Sequence, residues 1–377
     1  MLRAGTQLNP GDVFTSGEFP GTPVTLEEVH SDLPHGTRYR AHQGKSALLV
    51  TIFDPTICAD PKLRKMLEQN LSAVRSLTHR NILAIEGTGT DDDIFFVARQ
   101  NPRCSTIREF INRRAARGLR IDLSLACKIS AQLCDGLIQL HERMPHGLVT
   151  PENIFINRKG RVFLSACGEG AIVPFAPRFQ EYLDAKRLPA SCSELRTPPF
   201  LLRRETDVHE LALLVLELIG GYPSEDPQQA LDGANLGAQH PLHQFLSAAI
   251  DPTPEQRPHD LQDFGRRLIA AARARTAERI ATRTVSTVSS SPSSSESGLH
   301  WSTLNESKPN SPPPPPPGRP SPPLASDLGL DLSTFEDAAA RLETLDGESA
   351  LIGLAEVEEL PRVTIATAPP EHPEHPE

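Results

Sequence analysis

The sequence predicts an α+β chain: a small β-rich lobe with one main helix, a larger helical lobe, and a tail without a core. Three observations carry this expectation. Short apolar runs dominate residues 24–97 around a single helical stretch, apolar residues recur every three or four positions from Ser105 onward, and past Thr282 the composition shifts to Ser, Thr and Pro.

Residues 1–23 are rich in Gly, Pro and Thr without periodicity and form an N-terminal extension with no assigned role. The small lobe is bounded at residues 24–100. Within it, residues 37–41 and 47–53 read as strands, 61–77 as a helix, and 82–87 and 94–97 as strands joined through the acidic turn Asp91-Asp92-Asp93. The larger lobe is bounded at residues 101–282. Residues 105–117 and 122–144 read as helices, and in the second Leu123, Ala126, Ile129, Leu133, Leu137 and Leu140 define one buried face. A β pair follows at 154–157 and 161–164, turning through Arg158-Lys159-Gly160, and helices at 207–220, 242–250 and 259–281 complete the lobe.

Residues 283–326 form a Ser/Pro-rich linker with an unbroken run from Pro312 to Pro317, and residues 327–377 an acidic tail. Both bury too little apolar surface to offset ordering entropy and are predicted to be disordered. One island stands out. Ser333-Thr-Phe-Glu336 has capping-box spacing, and Phe335, Ala338, Ala339, Leu342 and Leu345 share one helical face. An unpartnered nascent helix is the default for such an island; the functional alternative makes Phe335, Leu342 and Leu345 tail-docking residues.

Composition and charge narrow the function classes. At 377 residues, 38% hydrophobic content and 36 Pro place part of the chain outside any core. The net charge is -10, and residues 283–377 hold 5 Lys+Arg against 15 Asp+Glu, so the tail carries the whole excess. A neutral globular part and an acidic tail exclude a generally basic nucleic-acid binder. The six cysteines, Cys58, Cys104, Cys127, Cys134, Cys167 and Cys192, form no C-x-x-C pair, which points to reduced thiols and a cytoplasmic location. No run of 18 apolar residues occurs, so no membrane insertion is expected. Neither H-E-x-x-H nor G-x-S-x-G is present.

One segment makes the reading specific: His146-Gly-Leu-Val-Thr-Pro-Glu-Asn153-Ile154, followed by Gly160-Arg-Val-Phe-Leu-Ser-Ala-Cys-Gly168. It resembles the catalytic loop and metal-binding loop of protein kinases, H-R-D-L-K-P-x-N-I-L and V-K-L-x-D-F-G, without a gap. Upstream, Leu48 to Phe53, Asp60-Pro61 and Ser76 to Leu83 resemble the third strand, the C helix and the next strand of bacterial Ser/Thr kinases. Downstream, Asp207-Val208 opens a segment like the F helix, and Asp251 to Pro258 resembles the D-P-x-x-R-P element. The resemblance spans residues 24–273 and implies a bilobed protein kinase-like fold.

The resemblance also shows what is missing. Phosphoryl transfer on this fold relies on a strand Lys paired with a helix Glu, a catalytic-loop Asp, and an Asn and a second Asp on Mg²⁺. Thr51 stands at the Lys position, Asn70 at the Glu position, Leu148 at the catalytic Asp, Thr150 at the loop Lys and Ala166 at the metal-binding Asp. Asn153 alone is retained. Leu49 adds bulk where the family has a small residue over the adenine, and the first hairpin has one Gly and a Pro instead of a Gly-rich loop.

The expectation is a catalytically inactive pseudokinase without cofactor or metal, acting as a signalling scaffold or allosteric binding module. Its partner would be a protein, either an active Ser/Thr kinase or its substrate. The alternative is a degenerate but active Ser/Thr kinase, using ATP and Mg²⁺, Asn153 and a displaced acid such as Glu169, or another ATP-dependent transferase on the kinase fold. His146, Gly168, Asp207 and Arg257 are expected to be structural. Arginines at 113, 114, 117, 120, 266, 267, 273, 275, 279 and 283 form a basic surface whose default is solvation and whose functional reading is a dock for acidic partners or the chain's own tail.

Overall fold

Alternating side chains build the small lobe as an antiparallel sheet in the order β1-β2-β3-β4-β6-β5. Its strands are β1 Gln7–Leu8, β2 Val24–Leu33, β3 Gly36–Gln43, β4 Ser46–Phe53, β5 Ile85–Asp91 and β6 Ile94–Gln100. The computed structural model describes residues 2–8, 23–101, 103–184, 203–221, 226–234 and 236–288, with side chains to residue 277.

The register separates two faces. One carries Leu8, Val24, Leu26, Tyr39, Ala41, Leu48, Val50, Phe96 and Ala98, a core belonging to the small lobe itself. On the other, Arg38 lies opposite Thr51 and Arg40 opposite Leu49, while Leu49 lies opposite Arg99. Cross-strand partners share a face, so Arg38, Leu49, Thr51 and Arg99 all look toward the large lobe.

Helices α1, Pro55–Ala59, and α2, Pro61–Arg75, each start with Asp then Pro. The Asp54 and Asp60 carboxylates accept backbone N–H groups of the first turn, and Pro fits the first helical position because it has no N–H to satisfy. Helix α2 buries Leu67, Leu71 and Val74 against the rest of the fold.

The large lobe is organised by α4, Leu123–His141, which is buried along nearly its whole length and packs against α6, Arg204–Gly220, and α9, Leu261–Val288. Preceding it, α3, Ile107–Ala115, opens with a capping box formed by Thr106 and Glu109. Strands β7 Ser105–Thr106, β8 Ile154–Ile156 and β9 Val162–Leu164 form a second sheet beneath the cleft. A 3-10 turn at Gly170–Phe175, α5 Phe179–Asp184, α7 Pro227–Gly233 and α8 Pro241–Ala249 complete the lobe. Behind the cleft the lobes are tied by Leu83 N–H to Leu164 O, 2.9 Å, and Leu164 N–H to Asn81 O, 2.7 Å.

Three differences from the sequence reading have physical causes. Residues 2–8 are not separate from the lobe: β1 pairs with β2, Leu26 N–H donates to Thr6 O at 2.9 Å, and Leu8 is 1% exposed. Strand β2 runs unbroken from 24 to 33, but two register shifts interrupt its alternation and mask it as a pattern. Helices α1, α5 and α7 span at most seven residues, too few for a helical period to emerge. The candidate residues Phe335, Leu342 and Leu345, together with Cys192, lie outside the described residues.

Because Leu8 anchors the sheet edge, Leu8→Ala should lower the unfolding free energy by about 2 kcal/mol in a denaturant titration. An unchanged midpoint would mean that the β1 contact does not persist in solution.

Candidate functional site

The loop from His146 to Asn153 is hung from α6. Asp207, fully buried, accepts the backbone N–H groups of His146 at 2.7 Å and Gly147 at 2.6 Å, and its Oδ2 also contacts His141 Nε2 at 2.7 Å. One turn on, Glu210 accepts Val149 N–H at 2.6 Å. His146 Nδ1 accepts Leu148 N–H at 3.1 Å and its Nε2–H donates to Ser165 O at 2.7 Å, which assigns the tautomer. Burial pushes the His146 pKa down, in keeping with a neutral ring. Gly170 is required here, since a Cβ would stand 2.2 Å from His146 O.

At Leu148, Thr150 and Ala166 this frame carries uncharged side chains. Leu148 is buried in the main apolar core, and Thr150 Oγ1 accepts from Asn153 Nδ2 at 3.3 Å. Asn153 Nδ2 also donates to Leu148 O at 3.3 Å. Its Oδ1, the atom that would face a metal, accepts from Arg38 Nη2 at 3.1 Å. Ala166 sits at φ 58°, a left-handed conformation unusual for alanine, held where Glu169 N–H donates to Ala166 O at 3.0 Å. Asn70 brings its backbone to the loop: a Cβ on Gly168 would lie 3.2 Å from Asn70 O. On β4, Thr51 meets Arg38 Nε at 3.5 Å.

Glu169, one residue beyond the loop glycine, is the centre of charge. It is 0% exposed and bonded to Arg99 Nη1, with His35 Nε2 at 2.9 Å and Arg38 Nη2 at 4.0 Å. Arg99 Nη2 further donates to Cys167 O at 2.9 Å. Burial pushes the Glu169 carboxyl up, but Arg99, His35 and Arg38 outweigh it and hold it well below the usual carboxylate range. Burial lowers Arg38 to about 10, with Glu169 opposing and Arg99 adding to the fall, so Arg38 stays charged at neutral pH. Burial also raises the Cys167 thiol to about 12.

Side chains of both lobes meet in the cleft. His35 comes from the two-residue turn between β2 and β3 and is 1% exposed, so the hairpin tip reaches down to Glu169. The same hairpin is clamped by Arg178, which donates to both Asp32 carboxylate oxygens at 2.7 and 2.9 Å. Deeper in, Leu49 packs with Leu83 and Phe155, and the His30 ring lies 5.5 Å from the Phe155 ring. Burial, then Arg38 and Arg40, lower His30 to about 4.

The residues named from sequence therefore divide. Thr51, Leu148, Thr150, Asn153, Ala166, Gly168 and Asp207 converge on the cleft floor, whereas Arg257 is 2% exposed elsewhere and donates to Asp251 O at 2.7 Å and Pro252 O at 3.3 Å. Glu169 is engaged by cations instead of facing outward as a displaced acid. Sequence reasoning missed Arg38, Arg99 and His35. Their only trace was two arginines at strand positions whose cross-strand neighbours are apolar or Thr.

Among the described residues no group of three His, Cys, Asp or Glu could hold a metal ion, and no helix is long and apolar enough to cross a membrane. The donors present do not fit the family's Mg²⁺, because the Asn153 oxygen and the Glu169 carboxylate are already bound by guanidinium groups.

No family model and no curated protein matches the chain. Solved structures do. The PknI kinase domain from Mycobacterium tuberculosis superposes with TM-score 0.53 at 17% identity, covering 72% of this chain and all of that one. A second structure of the domain gives TM-score 0.53 at 16% identity, covering 72% and 99%, and a cysteine-to-alanine variant gives 0.51 at 17%, covering 72% and 99%. The chain thus has the bilobed protein kinase fold.

Removing one partner from a buried charge cluster strands the others, so Glu169→Ala should cost about 3 to 5 kcal/mol of stability. The Glu169 pKa is depressed on folding, so its contribution is full above the ordinary value of 4.5 and is lost as pH falls from there through the folded-state value. The stability gap between parent and variant should be flat from about pH 5 to 8 and narrow at lower pH. A gap that widens on acidification would contradict the assignment.

Proposed function

We propose that this chain is a catalytically inactive kinase-fold protein, a pseudokinase, that works as a protein-binding module. The observation supporting this reading is the state of the two polar groups nearest the reaction centre: Asn153 and Glu169 are bound by Arg38 and Arg99. Transfer would require a hydroxyl to lose its proton and a metal-bound triphosphate to be held in line. Leu148 cannot accept a proton, and general base catalysis alone is typically worth about 10²- to 10⁴-fold. Arg38 and Arg99 place positive charge in the cleft, but both are spent on Glu169, Asn153 and a carbonyl. Leu49, Phe155 and His30 occupy the inner cleft, which disfavours a purine.

On this reading the cleft contributes rigidity, and the large-lobe surface supplies recognition of a protein partner, with an active Ser/Thr kinase or its substrate the leading class. No nucleotide or metal takes part, and the protein acts in the cytoplasm.

A ligand at one hundred times its dissociation constant stabilises by about 2.7 kcal/mol, which is several degrees for a domain of this size. Titration with ATP and Mg²⁺ should therefore leave the melting temperature unchanged. A saturable rise, together with phosphate transfer lost in Asn153→Ala, would overturn the proposal.

A further inference from the structure

Away from the cleft, the large lobe carries a groove of about 580 Å³. Its walls are the turn before α4, the end of α6, helix α7 and the middle of α9. Leu123, Leu216, Ile219, Ala230, Ala234 and Leu236 line it. Arg120 and Arg275 stand at its edge, with Asp122 engaged as the α4 cap through Leu125 N–H at 2.8 Å. Arg117 and Arg273, close in sequence to these two, are exposed.

We propose that this groove is the dock for the chain's own segment from Ser333 to Leu345, with Phe335, Leu342 and Leu345 seated on its apolar lining. Three observations select this occupant over a separate protein. The spacing of Phe335, Ala338, Ala339, Leu342 and Leu345 gives one apolar stripe that matches an apolar groove between helices. Residues 331–348 carry six acidic side chains against a single Arg341, opposite in sign to the groove edge. The third is connectivity.

Helix α9 forms one wall through Ala271, Ala274 and Arg275 and ends at Val288, about 20 Å further along its axis. The 46 residues between Val288 and Phe335 reach up to about 150 Å when extended, ample for a return to the groove. Tethering makes the encounter intramolecular, so a contact too weak between separate molecules becomes populated. An external acidic partner would then have to displace the segment. This inference does not depend on the cleft being inactive.

Hydrogen exchange on the full chain tests it. Backbone amides of α7 and of residues 119–123 should exchange about tenfold faster in Phe335→Ser/Leu342→Ser than in the parent, and the parent should approach the variant at high salt. Ala274→Trp places bulk at an exposed groove position without disturbing the core and should remove the protection of residues 333–345. Equal exchange in parent and both variants would overturn the proposal. So would protection that grows with protein concentration, since that would place a second copy in the groove.

Discussion

The one buried carboxylate of Glu169 gathers three side chains of the small lobe onto the large one. Taking the Glu169 charge out of water costs several kcal/mol unless it is paired, and its partners Arg99, His35 and Arg38 all belong to the opposite lobe. The pairing constrains more than the three side chains. A one-residue slip in the β3 or β6 register would turn Arg38 or Arg99 to the apolar face and leave the acid alone. Sheet register, hairpin depth and lobe closure are thus consequences of one electrostatic requirement. Arg38 and Arg99 also donate to Asn153 Oδ1 and Cys167 O, respectively.

The frame of the loop and its contents are separable. Asp207 and Glu210 satisfy the backbone N–H groups of His146, Gly147 and Val149, and none of these bonds involves the side chain of Leu148. A loop shaped by its backbone donors tolerates an apolar residue at the point where chemistry would demand a charge. Ala166 fits the same account: its left-handed backbone is imposed by neighbours such as the Glu169 N–H bond to Ala166 O, against the preference of the residue itself.

The fold and the loop were legible in the sequence because their signals are local. The run from His146 to Gly168 keeps its order and spacing, and the apolar face of α4 repeats at a helical period. The cation cluster was not legible because it is made of partners far apart in the chain: Arg99 and Glu169 are 70 residues apart, and Arg38 and Asn153 are 115. An arginine in a strand reads as exposed until the register is known, and β2, whose bulges obscure its alternation, sets that register on one side. Gln7–Leu8 was invisible for a related reason, since two residues define no period and their worth lies wholly in the partner strand.

Closure by built-in charge has a consequence for recognition. In a kinase fold that binds nucleotide, cleft occupancy can shift the lobes, and a ligand moves such an equilibrium only through different affinity for its two states. Here the groups that would respond, Asn153 and Glu169, already hold guanidinium ligands supplied by the chain. Under the proposed reading a nucleotide would have to compete with those bonds, and stripping Glu169 of its partners would leave a buried ion unpaired. Under the proposed reading, regulation therefore has to enter through surfaces outside the cleft. The groove beside α9 is such a surface: it is lined by residues that take no part in the charge cluster, so its occupancy can change while the lobes stay locked.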